Sequence, residues 1–253
     1  MSESTETVVP LSVVPPVIQD AAGAVATMPV AVIAPRDWVR LAQGFYFLFC
    51  GLLVSFAALV EAVATATPRL FQTFISGVAA VATLAGAWRL YQAHVSDAWH
   101  RHTRALLIAA GALVYLWPFL QMWLRLSGSG YLLGHALVYA GVCVAAPALL
   151  SLTVGALARS RGQHSLATQA VVYAGTVAVI LVLPFGAIAF GLVYGVMHGV
   201  DPLQAVRSIL ATVPQAVPLV LLVPVSLALS LAWAAKDLAV GELSNLGGTT
   251  AAK

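Results

Sequence analysis

The 253-residue sequence predicts an all-α, polytopic integral membrane protein with about six transmembrane helices in a bundle and both termini cytoplasmic. Three observations lead there. Hydrophobic residues make up 61% of the chain and charged residues only 8%, and the mean hydropathy is +0.95. Soluble proteins carry roughly 25% charged residues, so this chain lacks the polar surface that water requires. The apolar residues gather into runs about as long as a bilayer is thick, and the Lys and Arg residues fall between those runs singly or in pairs.

Residues 1–36 contain Pro10, Pro15, Pro16, Pro29 and Pro35, each of which removes an amide donor and resists helix continuation. Such a backbone would be unsatisfied in hydrocarbon, so a disordered or surface-lying arm is expected there. Its start holds Glu3 and Glu6 but no basic residue, the wrong charge for a secretory signal peptide, so the N-terminus is expected to be retained.

Six spans are expected within a transmembrane domain at 37–237. The first covers 41–64, after a collar of Arg36, Asp37, Trp38 and Arg40 suited to the headgroup layer. The second covers 71–91, where Gly77, Ala80, Thr83 and Ala87 recur at helical spacing and would let another helix approach. The third covers 105–126, with Pro118 as a kink and Tyr115, Trp117 and Trp123 as interface aromatics. After the turn Ser127-Gly128-Ser129-Gly130, the fourth covers 131–158, with Gly134, Gly141, Ala145 and Ala148 along one side. The fifth, 167–197, exceeds the ~20 residues a bilayer needs and is expected to tilt, bend at Pro184 or leave early. The sixth covers 213–235, with Pro214 at its start and kinks expected at Pro218 and Pro224; residues 238–253 then form a flexible tail. Ala110-Gly111 before Pro118-Phe119 and Ala174-Gly175 before Pro184-Phe185 hint at an internal repeat, but the spacings differ.

Sidedness follows from basic residues. Arg36, Arg40, Arg89, Arg101, Arg104, Arg159, Arg161, Lys236 and Lys253 fall on the side of the termini, against Arg69, Arg125 and Arg207 on the other. The positive-inside rule then places both termini in the cytoplasm, and a bacterial inner (cytoplasmic) membrane is the expected location.

Scattered charge of this kind orients helices and offers no nucleic-acid patch, despite a pI near 9.1. Cys50 and Cys143 lie in apolar runs and read as packing residues, with neither a disulfide framework nor a zinc motif. The chain has no phosphate-binding Gly-x-x-x-x-Gly-Lys-Ser/Thr loop. Ser129 between two glycines, six residues before His135, invites comparison with an intramembrane serine protease, but its place in a turn argues against a nucleophile.

The densest polar feature is His94-x-x-Asp97-x-x-His100-Arg101-His102. On a helix, His94, Asp97 and His100 would share a face, so with His102 they are weak metal candidates; a solvated, headgroup-contacting loop is the plainer reading. His135, near the start of the fourth span, and Glu61, near the outer end of the first, form a possible intramembrane polar site. Either is also near enough to the interface to be structural.

The leading expectation is a structural or accessory subunit of a larger membrane complex, without catalysis, since polar groups within spans are scarce and Gly and Ala faces abundant. Its partners would be membrane lipids and other subunits or copies of itself, with no nucleic acid and no cofactor. An alternative is a small channel or carrier whose path is lined by the kinked fifth and sixth helices, Glu61 and His135. A third is a haem- or metal-binding redox subunit using His94, His100, His102 and His135.

Overall fold

The computed structural model describes residues 33–65, 74–201, 204, 220 and 222–251. The expectations for the arm at 1–32, for the start of the second span and for Pro214 and Pro218 lie outside the described residues. Six helices are present: α1 (Pro35–Thr65), α2 (Phe74–Tyr91), α3 (Asp97–Arg125), α4 (Gly130–Ser160), α5 (His164–Met197) and α6 (Leu222–Ala251), with no strand among the described residues. All but α2 are long and apolar enough to cross a membrane, with mean hydropathy of 1.4 to 2.5 in their apolar windows. α2 spans 18 residues and is apolar apart from Ser76, Thr83 and Arg89. The protein is an all-α helical membrane bundle.

Contacts between neighbours fix the direction of each helix. Gly44 meets Leu90 while Gly51 meets Ala79 and Thr83, so α1 and α2 run antiparallel. Tyr91 meets His100 at one end of the α2–α3 pair and Ser76 meets Trp117 further along. Phe119 lies against His135 and Leu116 clusters with Tyr139, which reverses α4 relative to α3. Gly155 touches Ala170 while Gly141 approaches Phe185, which reverses α5 again. α6 then packs on α1, α4 and α5 and runs against α1, with Trp233 beside Phe49 and Glu242 at the level of Trp38. The six helices therefore alternate in direction, and the first and last are neighbours.

Two turns depend on glycine. Gly162, at φ +68°, ends α4: the Gln163 amide bonds back to the Ala158 carbonyl at 2.9 Å. Gly199, at φ +73°, does the same for α5, with the Val200 amide on the Gly195 carbonyl. This left-handed backbone suits a residue without Cβ.

The tightest contact in the bundle is between α1 and α2. A side-chain carbon on Gly86 would lie 2.8 Å from the Gly44 carbonyl oxygen, and one on Gly44 would lie 2.6 Å from the Leu90 side chain. Without a hydrophobic drive between helices in lipid, such close backbone approach supplies dispersion contact. The expected small-residue face of α2 is in place: Ala80 and Ala87 are buried, Gly77 rests against the Trp117 ring and Thr83 against Gly51. The expected face on α4 is in place only in part. Gly141 approaches Phe185 and Ala148 is half-buried, but Gly134 meets nothing and Ala145 is exposed, while α4 buries Leu150, Ser151, Val154 and Leu157 on another side.

The end rich in arginine is held by polar contacts as well as by packing. Trp99, fully buried, donates its indole N–H to the Leu90 and Ala93 carbonyls at 3.2 and 3.0 Å and meets Phe45 edge to face. These two carbonyls lie at and just beyond the end of α2, where they have no helical donor. Arg40 pairs with Asp37 at 3.1 Å and donates to the Gln92 carbonyl at 3.1 Å, tying α1 to the α2–α3 connection. Arg161, the residue after α4, pairs with Glu242 of α6 and lies with its guanidinium carbon 5.2 Å from the centre of the Trp38 ring. One side chain thus gathers α1, the α4–α5 turn and α6.

Several expectations are corrected. The arm was expected to reach residue 36, yet Ile33 is in the core and Pro35 begins α1, where its missing N–H costs no helical bond. α3 starts at Asp97 rather than 105, because the Ser96 side chain accepts from the Trp99 amide and caps it. Residues 238–251 are helical rather than a frayed tail: Leu238 and Leu243 pack on the core, Ala239 is buried, and Glu242 has its arginine. Pro224 lies in α6, two residues after Leu222, the first of its described residues. Pro118 and Pro184 do lie inside helices, and Pro147, not singled out in the sequence, lies inside α4.

Two pairs of substitutions test this packing. Gly86→Ala should lower thermal stability in detergent by about 2 kcal/mol or more, whereas Gly111→Ala, with nothing within 4 Å, should be neutral or gain up to about 1 kcal/mol. Trp99→Phe should cost about 1–3 kcal/mol more than Trp123→Phe, because both lose the same volume but the buried Trp123 indole N–H has no hydrogen-bond partner to forfeit.

Candidate functional site

The histidine segment sits at the arginine-rich end. His94 precedes α3, whose first residue is Asp97, so the expected shared helical face does not include it. The His94 and His100 rings nevertheless stack at 6.3 Å, and His100 lies 4.7 Å from the Tyr91 ring. Asp97 is exposed in the first turn of α3, where a carboxylate complements the helix dipole. His102 is within electrostatic reach of Arg101 and Arg159, two positive charges that oppose a bound cation. Among the described residues, no group of three or more His, Cys, Asp and Glu side chains is arranged to hold a metal.

His135 is in an aromatic setting on the other half of the bundle. Its ring stacks on Phe119 at 4.5 Å and tilts against Tyr131 at 4.5 Å, while Nδ1 is 3.0 Å from the Tyr131 carbonyl one turn back. Glu61 is in the last two turns of α1, half-buried. Neither residue is among the described residues of the central cavity wall. Ser129 is the N-cap of α4, its hydroxyl accepting from the Leu132 amide at 3.4 Å. That role explains a serine at this turn without catalysis.

The structure adds a feature that the sequence analysis did not assemble. All six helices contribute to the wall of a central cavity of about 260 Å³; α3, α5 and α6 supply Leu113, Leu181 and Val225. Among the described residues no charged side chain lines it. Its polar groups are Ser55, Ser76, Thr83, Tyr139 and Cys143. Ser55 donates to the Gly51 carbonyl and Thr83 to the Ala79 carbonyl, both at 2.9 Å, which satisfies each hydroxyl within its own helix. Ser76 accepts the Trp117 indole N–H at 2.8 Å. Tyr139 and Cys143 lie one turn apart on α4.

Pro147 is part of the wall and cannot donate to the Cys143 carbonyl four residues before it. Cys143, expected as a packing residue, is exposed on the cavity wall instead. The signal available in the sequence was the set of hydroxyls inside apolar runs at Ser55, Ser76, Thr83 and Tyr139; their convergence depends on how the helices pair.

Compared with known proteins, the chain matches no family model, and neither a curated protein nor a solved structure matches it.

Because the histidines are not assembled around a common point, chelation should leave the protein unchanged. Treatment of the purified chain with excess EDTA should shift its melting temperature by less than the scatter of replicate scans. His135→Phe, which keeps the stack on Phe119, should lower stability by about 1 kcal/mol or less.

Proposed function

We propose that this protein is a non-catalytic subunit of a larger membrane complex, joined to its partner through α5. The observation that carries the reading is the bareness of that helix. Only 11% of the α5 apolar window is buried, against 28–33% in the other four long apolar helices, although its hydropathy of 2.5 is the highest. Gly175 and Gly186 both open outward, with nothing within 4 Å of a side chain placed there, and Val179 and Val182 are exposed between them. Eleven residues are close to three helical turns, so both glycines lie on one face. A face with small residues at its contact level suits close approach by another helix, which lipid tails do not require.

The same reading places the arginine-rich end in the cytoplasm of a bacterial cell, at the inner membrane. Arg36, Arg40, Arg89, Arg101, Arg104, Arg159, Arg161 and Lys236 lie at that end, and Arg125 at the other, among the described residues. Exposed Trp88 and Trp233 near one end and Tyr131 and Tyr194 near the other fit two interfacial belts.

A second reading, a small carrier, draws support from the central cavity, though Glu61 and His135 are not part of its wall. Gentle-detergent purification from the native membrane separates the two. A subunit should copurify with a membrane protein in fixed ratio, and Gly175→Leu with Gly186→Leu should abolish that association while leaving the melting temperature of the isolated chain within about 2 °C. A chain that runs alone and moves a solute in liposomes would establish the carrier instead.

A further inference from the structure

We propose that the central cavity is a binding site for a small lipophilic alcohol or phenol taken up from the bilayer. Its size sets the first limit. An apolar cavity of about 150 Å³ admits benzene, so 260 Å³ corresponds to a ligand of roughly ten non-hydrogen atoms, such as a monocyclic phenol. Among the described residues its wall is mostly aliphatic and bears no charge, which disfavours ions and zwitterions.

The polar groups define the ligand's chemistry. The Ser55 and Thr83 hydroxyls spend their protons on the Gly51 and Ala79 carbonyls, so their oxygens remain acceptors. Acceptor oxygens in an otherwise aliphatic wall match a hydroxyl group, which donates strongly. A pure hydrocarbon would leave those acceptors unmet. The inference is independent of the subunit reading, because binding here involves no contact on the outer face of α5.

Thymol, a monocyclic phenol of the right size, and p-cymene, the same skeleton without the hydroxyl, are suitable probes. Binding of each to the full chain in dodecyl maltoside is measured by saturation-transfer NMR against empty micelles. Thymol should bind saturably and about tenfold more tightly than p-cymene, the ratio expected of one net hydrogen bond. Ser55→Ala and Thr83→Val should each weaken thymol about three- to tenfold and leave p-cymene unchanged. Ala80→Phe, which fills the chamber, should remove both; should that variant fail to fold, the two hydroxyl variants still decide. Thymol uptake no greater than in empty micelles, equal affinity for the two probes, or thymol affinity unchanged in both hydroxyl variants would each overturn the proposal.

Discussion

Hydrocarbon offers no hydrogen-bond partner, and the rest of this structure follows from that constraint. Each backbone amide must be answered within its own segment, which leaves the helix as the form available to these apolar runs. The same constraint governs their side chains: Ser55, Thr83, Ser151, Thr153 and Thr176 all donate to a carbonyl three or four residues back in their own helix. Once polar groups are settled locally, helices can be held together by shape. The approach of Gly44 to Gly86 and the seat of the Trp117 ring on Gly77 are such contacts.

The bundle uses different cohesion at its two ends. Toward the arginine-rich end, where water and headgroups begin, polar contacts join separate segments: Arg40 to Gln92, Arg161 to Glu242, Trp99 to Leu90 and Ala93. Toward the middle, aliphatic and small residues take over around the chamber, with the Trp117–Ser76 hydrogen bond as a polar tie between α3 and α2.

Much of the fold was legible in the sequence, and the reasons are local. Apolar runs of bilayer length announce helices, and Gly77, Ala80 and Ala87 announce a packing face, because both signals repeat within one segment. What was illegible depends on partners. Gly134 and Ala145 look like Gly77 and Ala80 in sequence but are exposed, since α4 turns its other side to the core. Helical continuation through 238–251 rests on Arg161, eighty-one residues away, for one of its anchors. The cavity has the same origin: Ser55, Thr83 and Cys143 belong to three different helices and acquire a common environment only through pairing. His94 and His135 drew notice as rare polar residues, yet each is accounted for by a neighbouring aromatic ring.

The adjacency of α1 and α6 has a consequence for biogenesis. α6 packs on α1, α4 and α5, with Trp233 beside Phe49 and Glu242 answering the Arg161 guanidinium. Until α6 emerges, Arg161 is a cation without its carboxylate and Phe49 lacks its covering indole. A nascent chain interrupted before Leu222 therefore carries a recognisable defect at this seam.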